Sequence, residues 1–234
     1  VEDSNTVTRA YYYNIYIGNT ENTQVTKNTV NICAPRNSSS YGIYSTSSDS
    51  AYQYTGNIVN ITNTTTTVYG MYFTGCAASE QNRGRIDGNK IIALTGNTGS
   101  LYGLYQTSSV LNNTMNNVIV VSTTGSTSYG LYSTSGGGVK YYNNSVRSQS
   151  SSNTDRTAYF SHTSSANGVT DIRNNIFSNE GDDGVAMYVA NPNFIYSDYN
   201  MFYTTGSTLI QWGTANEFAT LQEWRDTAYW DINS

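Results

Sequence analysis

Four copies of one string constrain this chain more than anything else in it. Tyr-Gly-apolar-Tyr occurs at Tyr41–Tyr44, Tyr69–Tyr72, Tyr102–Tyr105 and Tyr129–Tyr132, with looser copies at Tyr13–Tyr16, Thr157–Phe160 and Val185–Tyr188. A second marker runs in phase with it. An Asn, mostly preceded by Asn or Gly, is followed two residues later by an apolar residue at Asn28, Asn57, Asn89, Asn117, Asn144, Asn175 and Asn200. The steps between these asparagines are 29, 32, 28, 27, 31 and 25 residues. Fixed markers at a variable period describe a solenoid whose strands are constrained and whose loops are not.

One repeat shows what the unit is. Leu111–Met115 reads as a short extended segment, Asn116-Asn117 as a corner, Val118–Val121 as a strand, and Tyr129–Tyr132 as the next strand after a Thr/Gly/Ser turn. Three short strands per repeat, each closed by turn residues and with no helical period between them, must stack on their copies in parallel at about 4.8 Å. The expected fold is an all-β, right-handed parallel β-helix of about seven to eight rungs. The corner Asn is expected both to tolerate the left-handed backbone of a tight corner and to hydrogen-bond its copies above and below.

Composition agrees and narrows the function. Only 12% of the 234 residues are charged, yet 22 are Tyr at fixed positions, which favours ordered β-structure over disorder. A net charge of −5 with the basic residues scattered argues against nucleic acid, since phosphate binding needs clustered Lys and Arg. No apolar run approaches the roughly 20 residues of a membrane span. Cys33 and Cys76 fall at different phases of the repeat, so two separate thiols are expected rather than a bridge.

Strand alternation assigns faces. With the third position of the string apolar or aromatic and therefore inward, the first is expected to share its face, and the second and fourth to point out. The outer face then carries a stripe of Tyr16, Tyr44, Tyr72, Tyr105, Tyr132, Phe160 and Tyr188, edged by Thr46, Thr74, Thr107, Thr134 and His162. From Tyr44 to Tyr188 this stripe is the candidate ligand-binding surface, a platform for sugar rings. The same stripe also stabilises a parallel sheet by cross-strand stacking, at about 0.2–1 kcal/mol per pair.

Towards the C-terminus the repeat gives way. Asn216–Tyr229 has an N-cap candidate in Asn216 and places Phe218, Leu221 and Trp224 on one helical face, so a short helix is expected to cover the last rung. The strings at 174–177 (Asn-Asn-Ile-Phe), 198–203 (Asp-Tyr-Asn-Met-Phe-Tyr) and 220–224 (Thr-Leu-Gln-Glu-Trp) resemble the right-handed parallel β-helix proteins of secreted bacterial surface and carbohydrate-active systems, those of the Bacteroidota in particular. That resemblance implies the fold and a secreted or cell-surface location, and says little about activity. The chain begins in mid-pattern and stops without a closing signal. It is therefore expected to be one β-helix domain over 1–234 within a larger exported protein, with neighbouring domains of that protein as partners.

β-Helix lyases and hydrolases need clustered carboxylates, for Ca²⁺ or for acid and base work. The middle repeats have none on the aromatic face. The candidate catalytic residues are His162, Asp171 and Arg173, and the loop Glu180-Gly181-Asp182-Asp183-Gly184 offers Glu180, Asp182 and Asp183 as Ca²⁺ ligands without the alternating spacing of a dedicated calcium loop. No other cofactor is suggested. The expectation is a non-catalytic scaffold or adhesion module that binds a polysaccharide or cell-surface glycan. The alternative is a β-helix lyase or hydrolase acting near His162.

Overall fold

The computed structural model describes residues 5–8, 12–33, 39–162 and 167–234. It is a parallel β-solenoid. Successive strands go in turn to three sheets of eight, nine and seven strands, and every parallel neighbour within a sheet is one repeat away in sequence. The first sheet runs from Thr6–Thr8 to Met201–Thr204, the second from Tyr13–Glu21 to Ile210–Trp212 and Asn216–Phe218, and the third from Gln24–Thr26 to Ile195–Asp198. All pairings are parallel except Ile210–Trp212 with Asn216–Phe218.

The interior is built from columns. On the first sheet Val30, Val59, Ile91, Ile119, Val146 and Phe177 stack in register, and on the second Ile43, Met71, Leu104, Leu131, Ala158 and Met187 do. All are buried. Each large aliphatic removed from water contributes about 1.5–3 kcal/mol.

Corner work is divided between two residues. The left-handed backbone belongs to the residue before each ladder Asn, namely Lys27, Gly56, Gly88, Asn116, Asn143, Asn174 and Tyr199, with φ between 54° and 64°. The ladder Asn itself is free to hydrogen-bond. Asn57, Asn89, Asn117 and Asn144 each donate from Nδ2 to Oδ1 of the next Asn at 2.9–3.0 Å. The ladder extends to Asn28 at one end and Asn200 at the other. One residue was expected to do both jobs, and the structure separates them.

The face assignment of the repeated string needs a correction. The first-position tyrosines point outward beside the fourth, and it is the glycines that face the core. A Cβ on Gly103 would lie 2.4 Å from Ile119 Cγ2, and one on Gly130 2.3 Å from Val146 Cγ1. Two consecutive inward residues, Gly and then an aliphatic, break strict alternation as a bulge does. Glycine is required here for room rather than for its backbone freedom. A tyrosine ring has no place on that side.

The looser copy at Thr157–Phe160 is shifted by one residue relative to the sequence expectation. Leu131 pairs with Ala158 and Tyr132 with Tyr159, so Thr157 takes the glycine position and Tyr159 continues the outer column. Phe160 is fully buried in line with Ser133 and is not on the outer stripe.

At the C-terminus the helix is Leu221–Ala228, shorter than expected, and its N-cap is Thr220 rather than Asn216. Thr220 and Glu223 form a complete capping box, whereas Asn216 starts the antiparallel strand. Phe218 and Trp224 pack 5.5 Å apart, ring to ring, and Trp224 is fully buried. Cys33 and Cys76 are both free thiols.

Candidate functional site

The outer face of the second sheet carries two aromatic columns. One is Tyr13, Tyr41, Tyr69, Tyr102 and Tyr129. The other is Tyr16, Tyr44, Tyr72, Tyr105, Tyr132, Tyr159 and Tyr188. In the second column, from Tyr44 to Tyr188, neighbouring rings are 4.4–5.0 Å apart and within 13° of parallel. Rings of different columns meet nearly at right angles, as Tyr41 and Tyr44 do at 87° and Tyr69 and Tyr72 at 86°.

Both angles have one cause. Rings touch face to face at about 3.5 Å, but the strands carrying them are about 4.8 Å apart. Each ring must therefore tilt by about 43° to keep contact, and two columns tilted in opposite senses cross at about 86°. The result is a herringbone in which every interior ring is stacked on its own column and edge-on to the other. Such pairs are favourable by about 0.5–1.5 kcal/mol each beyond burial.

This geometry decides what the face offers a ligand. Inside the columns both ring faces are taken by neighbours, so a sugar ring cannot lie flat on them. What remains is a ribbon of ring edges and phenol hydroxyls. Burial raises the Tyr69, Tyr72, Tyr102 and Tyr132 phenols above their ordinary value, and repulsion between neighbouring phenolates raises them further. These four hydroxyls are therefore neutral donors and acceptors at any ordinary pH. Beside them runs a column of Thr46, Thr74, Thr107, Thr134 and Ser161, in which Thr134 Oγ1 donates to Thr107 Oγ1 at 3.2 Å. Among the described residues these three columns contain no carboxylate. Their one charged member is Arg156, in line with Tyr129 and with its guanidinium 5.8 Å from the Tyr188 ring centre.

The candidate catalytic residues are not brought together. His162 was expected among the outer threonines, but it is buried. Its Nε2 is 3.1 Å from Ser133 Oγ, which also accepts a 2.7 Å bond from Tyr141, and its Nδ1 has no hydrogen-bond partner among the described residues. Burial lowers its pKa to about 4, so the ring is neutral and enclosed. Asp171 and Arg173 lie on the outer side of the third sheet and are occupied with each other. Arg173 donates from Nε and Nη2 to the two carboxylate oxygens, both at 2.7 Å, and lies 4.6 Å from the Tyr196 ring centre. No hydrogen bond or ion pair joins either residue to His162 among the described residues.

The acidic loop is likewise committed in part. Glu180 pairs with Arg147 at 2.5 Å, and Asp183 has φ 55° at a turn. Glu180 and Asp182 border a shallow cleft of about 210 Å³ otherwise lined by Ser, Thr, Gln and Gly. Among the described residues no group of three or more His, Cys, Asp or Glu side chains is placed to hold a metal ion.

The sequence places Asp155 among the charged residues around His162 but gives it no role. It is fully buried at the start of the strand Arg156–Ser161 and accepts from Ser128 N at 2.6 Å and Ser128 Oγ at 2.9 Å. Burial raises its carboxyl to about 6. Nothing in the repeat marks it, because it sits in a turn of variable length.

No family model, no curated protein and no solved structure matches this chain. Among the described residues no helix is long and apolar enough to cross a membrane.

Proposed function

We propose that this chain is a non-catalytic β-solenoid scaffold of a secreted or cell-surface bacterial protein, and that its tyrosine face binds polysaccharide. The observation that carries this reading is the herringbone: a hydroxyl-bearing ribbon along the second sheet, continuous from Tyr16 to Tyr188 in one column and from Tyr13 to Tyr129 in the other, that holds no carboxylate and only the single charge of Arg156. A glycan strand laid along it meets a repeating row of phenol and threonine hydroxyls at the rung spacing, with aromatic edges for its apolar patches. Contacts through hydroxyls and ring edges replace the flat stacking that a simple aromatic stripe implies. The residues placed to make them are Tyr44, Tyr72, Tyr105, Tyr132, Tyr159 and Tyr188. Phe160, being interior, is not among them.

Affinity electrophoresis tests this. In native gels cast with neutral and acidic polysaccharides, the protein is expected to be retarded in at least one gel without clearing the polymer. Clearing contradicts the non-catalytic reading. Unretarded migration in every gel contradicts the binding one.

A further inference from the structure

The asparagine ladder has a polarity, and its C-terminal end is plugged. Each ladder Oδ1 accepts both the backbone N–H and the Nδ2 of the Asn one rung earlier, as Asn200 Oδ1 does from Asn175 at 2.9 and 3.0 Å. A further rung would have to supply the same acceptor to Asn200. The chain supplies it from its own tail, split over two side chains. Ser234 Oγ accepts from Asn200 N at 2.7 Å, and Asp231 Oδ1 accepts from Asn200 Nδ2 at 3.0 Å. The two stand-ins are joined, since Ser234 Oγ donates to Asp231 Oδ1 at 2.7 Å.

Asp231 also ends the series chemically. An Asn passes a donor on to the next rung, but a carboxylate has none to pass. Its other oxygen accepts from Ser197 Oγ at 2.6 Å and from the Trp224 indole at 3.0 Å, and the residue is fully buried. Arg225 clasps the tail by donating to the backbone carbonyls of Asp231 and Ser234.

The cover is incomplete. It closes the ends of the second and third sheets, through the strand Asn216–Phe218 and through the bond from Asp231 N to Ser197 O. Among the described residues the first sheet ends at Met201–Thr204 with no strand beyond it, and the inward Phe202, in line with the fully buried Phe177, is only partly buried. Among the described residues the other end of that same sheet is Thr6–Thr8. There Thr29 N–H bonds to Asn5 O in the register Thr6 to Thr29, which turns the Thr6 N–H away from its neighbour and off the end of the sheet. The two ends are thus the complementary halves of one parallel pairing. A contact that joins the head of one molecule to the tail of the next does not close on itself, so it propagates.

We infer that the tail Tyr229–Ser234 is a ladder stop, and that the surface beneath it docks the first rung of a second copy of this chain. Asp231 and Ser234 occupy the acceptor site that a new rung would fill, and so hold the molecule monomeric.

Sedimentation velocity over a wide range of protein concentration tests this on the full chain. The wild type is expected to remain a single monomeric species. Asp231→Leu, which removes the acceptors while keeping an apolar filling, is expected to form a concentration-dependent ladder of larger species. Thr6→Pro added to it is expected to return the monomer, because it removes an outward edge donor and leaves the Thr29 to Asn5 bond intact. A monomeric Asp231→Leu with unchanged circular dichroism overturns the inference. So does association that persists with Thr6→Pro, or a wild type that already associates as strongly. Should Asp231→Leu lose its circular dichroism, Ser234→Ala decides. It frees the Asn200 N–H and removes the bond to Asp231 Oδ1 while leaving the carboxylate in place, and weak association that Thr6→Pro abolishes supports the stop, whereas a strict monomer contradicts it.

Discussion

Replacing Asn117 by Ala removes the middle of the ladder, and the loss can be worked out bond by bond. Asn117 Oδ1 accepts from Asn89 N and Asn89 Nδ2, each at 3.0 Å. Its Nδ2 donates to Ile86 O at 3.0 Å and to Asn144 Oδ1 at 2.9 Å. At about 1 kcal/mol net per buried bond the loss is about 4 kcal/mol. Asn89 Nδ2 keeps Tyr54 O at 2.8 Å, so that donor is still satisfied. The Asn89 backbone N–H has no such second partner, and its orphaning adds about 1 kcal/mol or more. The expected total is about 5 kcal/mol, a large share of a typical domain's stability. Asn28 is the internal control. Among the described residues its amide donates to Thr26 O and Asn57 Oδ1, and it is half-buried, so Asn28→Ala is expected to cost about 1–2 kcal/mol. Urea unfolding followed by circular dichroism, compared at constant m, gives both values. A loss below about 1 kcal/mol for Asn117→Ala, or equal losses at the two positions, refutes the claim that the ladder is a principal source of stability.

Other outcomes follow from the interior. His162, with its folded pKa near 4 against an ordinary 6.5, binds fewer protons folded than unfolded in that window, so it withdraws about 3 kcal/mol as pH falls from 6.5 to 4. Asp155, near 6 against 3.8, binds more protons folded, so it withdraws about 3 kcal/mol as pH rises from 3.8 to 6. The two slopes oppose. Relative to wild type, Asp155→Asn is expected to lose stability on acidification and His162→Gln to gain it, read as urea midpoints at pH 7 and pH 4; variants that parallel the wild type contradict the assignment. Gly103→Ala drives a Cβ to 2.4 Å from Ile119 Cγ2 and 2.5 Å from Gly130 O, and is expected to cost about 3 kcal/mol. Gly88→Ala meets nothing within 4 Å and carries only the left-handed backbone cost of about 1 kcal/mol. Thermal melts of the pair rank them, and a reversed order contradicts the core-facing position of Gly103.

The sequence made the solenoid legible because its markers are periodic and chemically specific. Asn57, Asn89, Asn117 and Asn144 bond to their own copies and to backbone carbonyls of the solenoid, so identity and spacing suffice to find them. The inward and outward faces were less legible, for two physical reasons. The bulge at Gly-apolar breaks the alternation on which any face assignment rests, and this placed the Tyr41 column on the wrong side. Part of the interior is also polar. One inward column holds Ser45, Phe73, Gln106, Ser133, Phe160 and Val189, so hydrophobicity cannot tell its members from surface residues. Phe160 and His162 were misplaced for that reason. Residue identity was the better guide, since the outer column is otherwise entirely Tyr and Tyr159 was one position away. Asp155 and the ladder stop at Asp231 and Ser234 depend on how turns and tail fold back over the rungs, which no local pattern records.

The most direct test of the tyrosine face removes its hydroxyls and keeps its rings. The triple variant Tyr72→Phe, Tyr105→Phe, Tyr132→Phe preserves the herringbone, whereas Tyr105→Ala would also break the contacts to Tyr69, Tyr72, Tyr102 and Tyr132. Wild type and triple variant are run side by side in native gels containing xylan, laminarin or polygalacturonate, with thermal melts of both. Retardation of the wild type alone, with unchanged melting and intact polymer, is the predicted result. Equal mobility of the two proteins in every gel, or hydrolysis of the polymer by either, contradicts a glycan-binding face built from phenol hydroxyls.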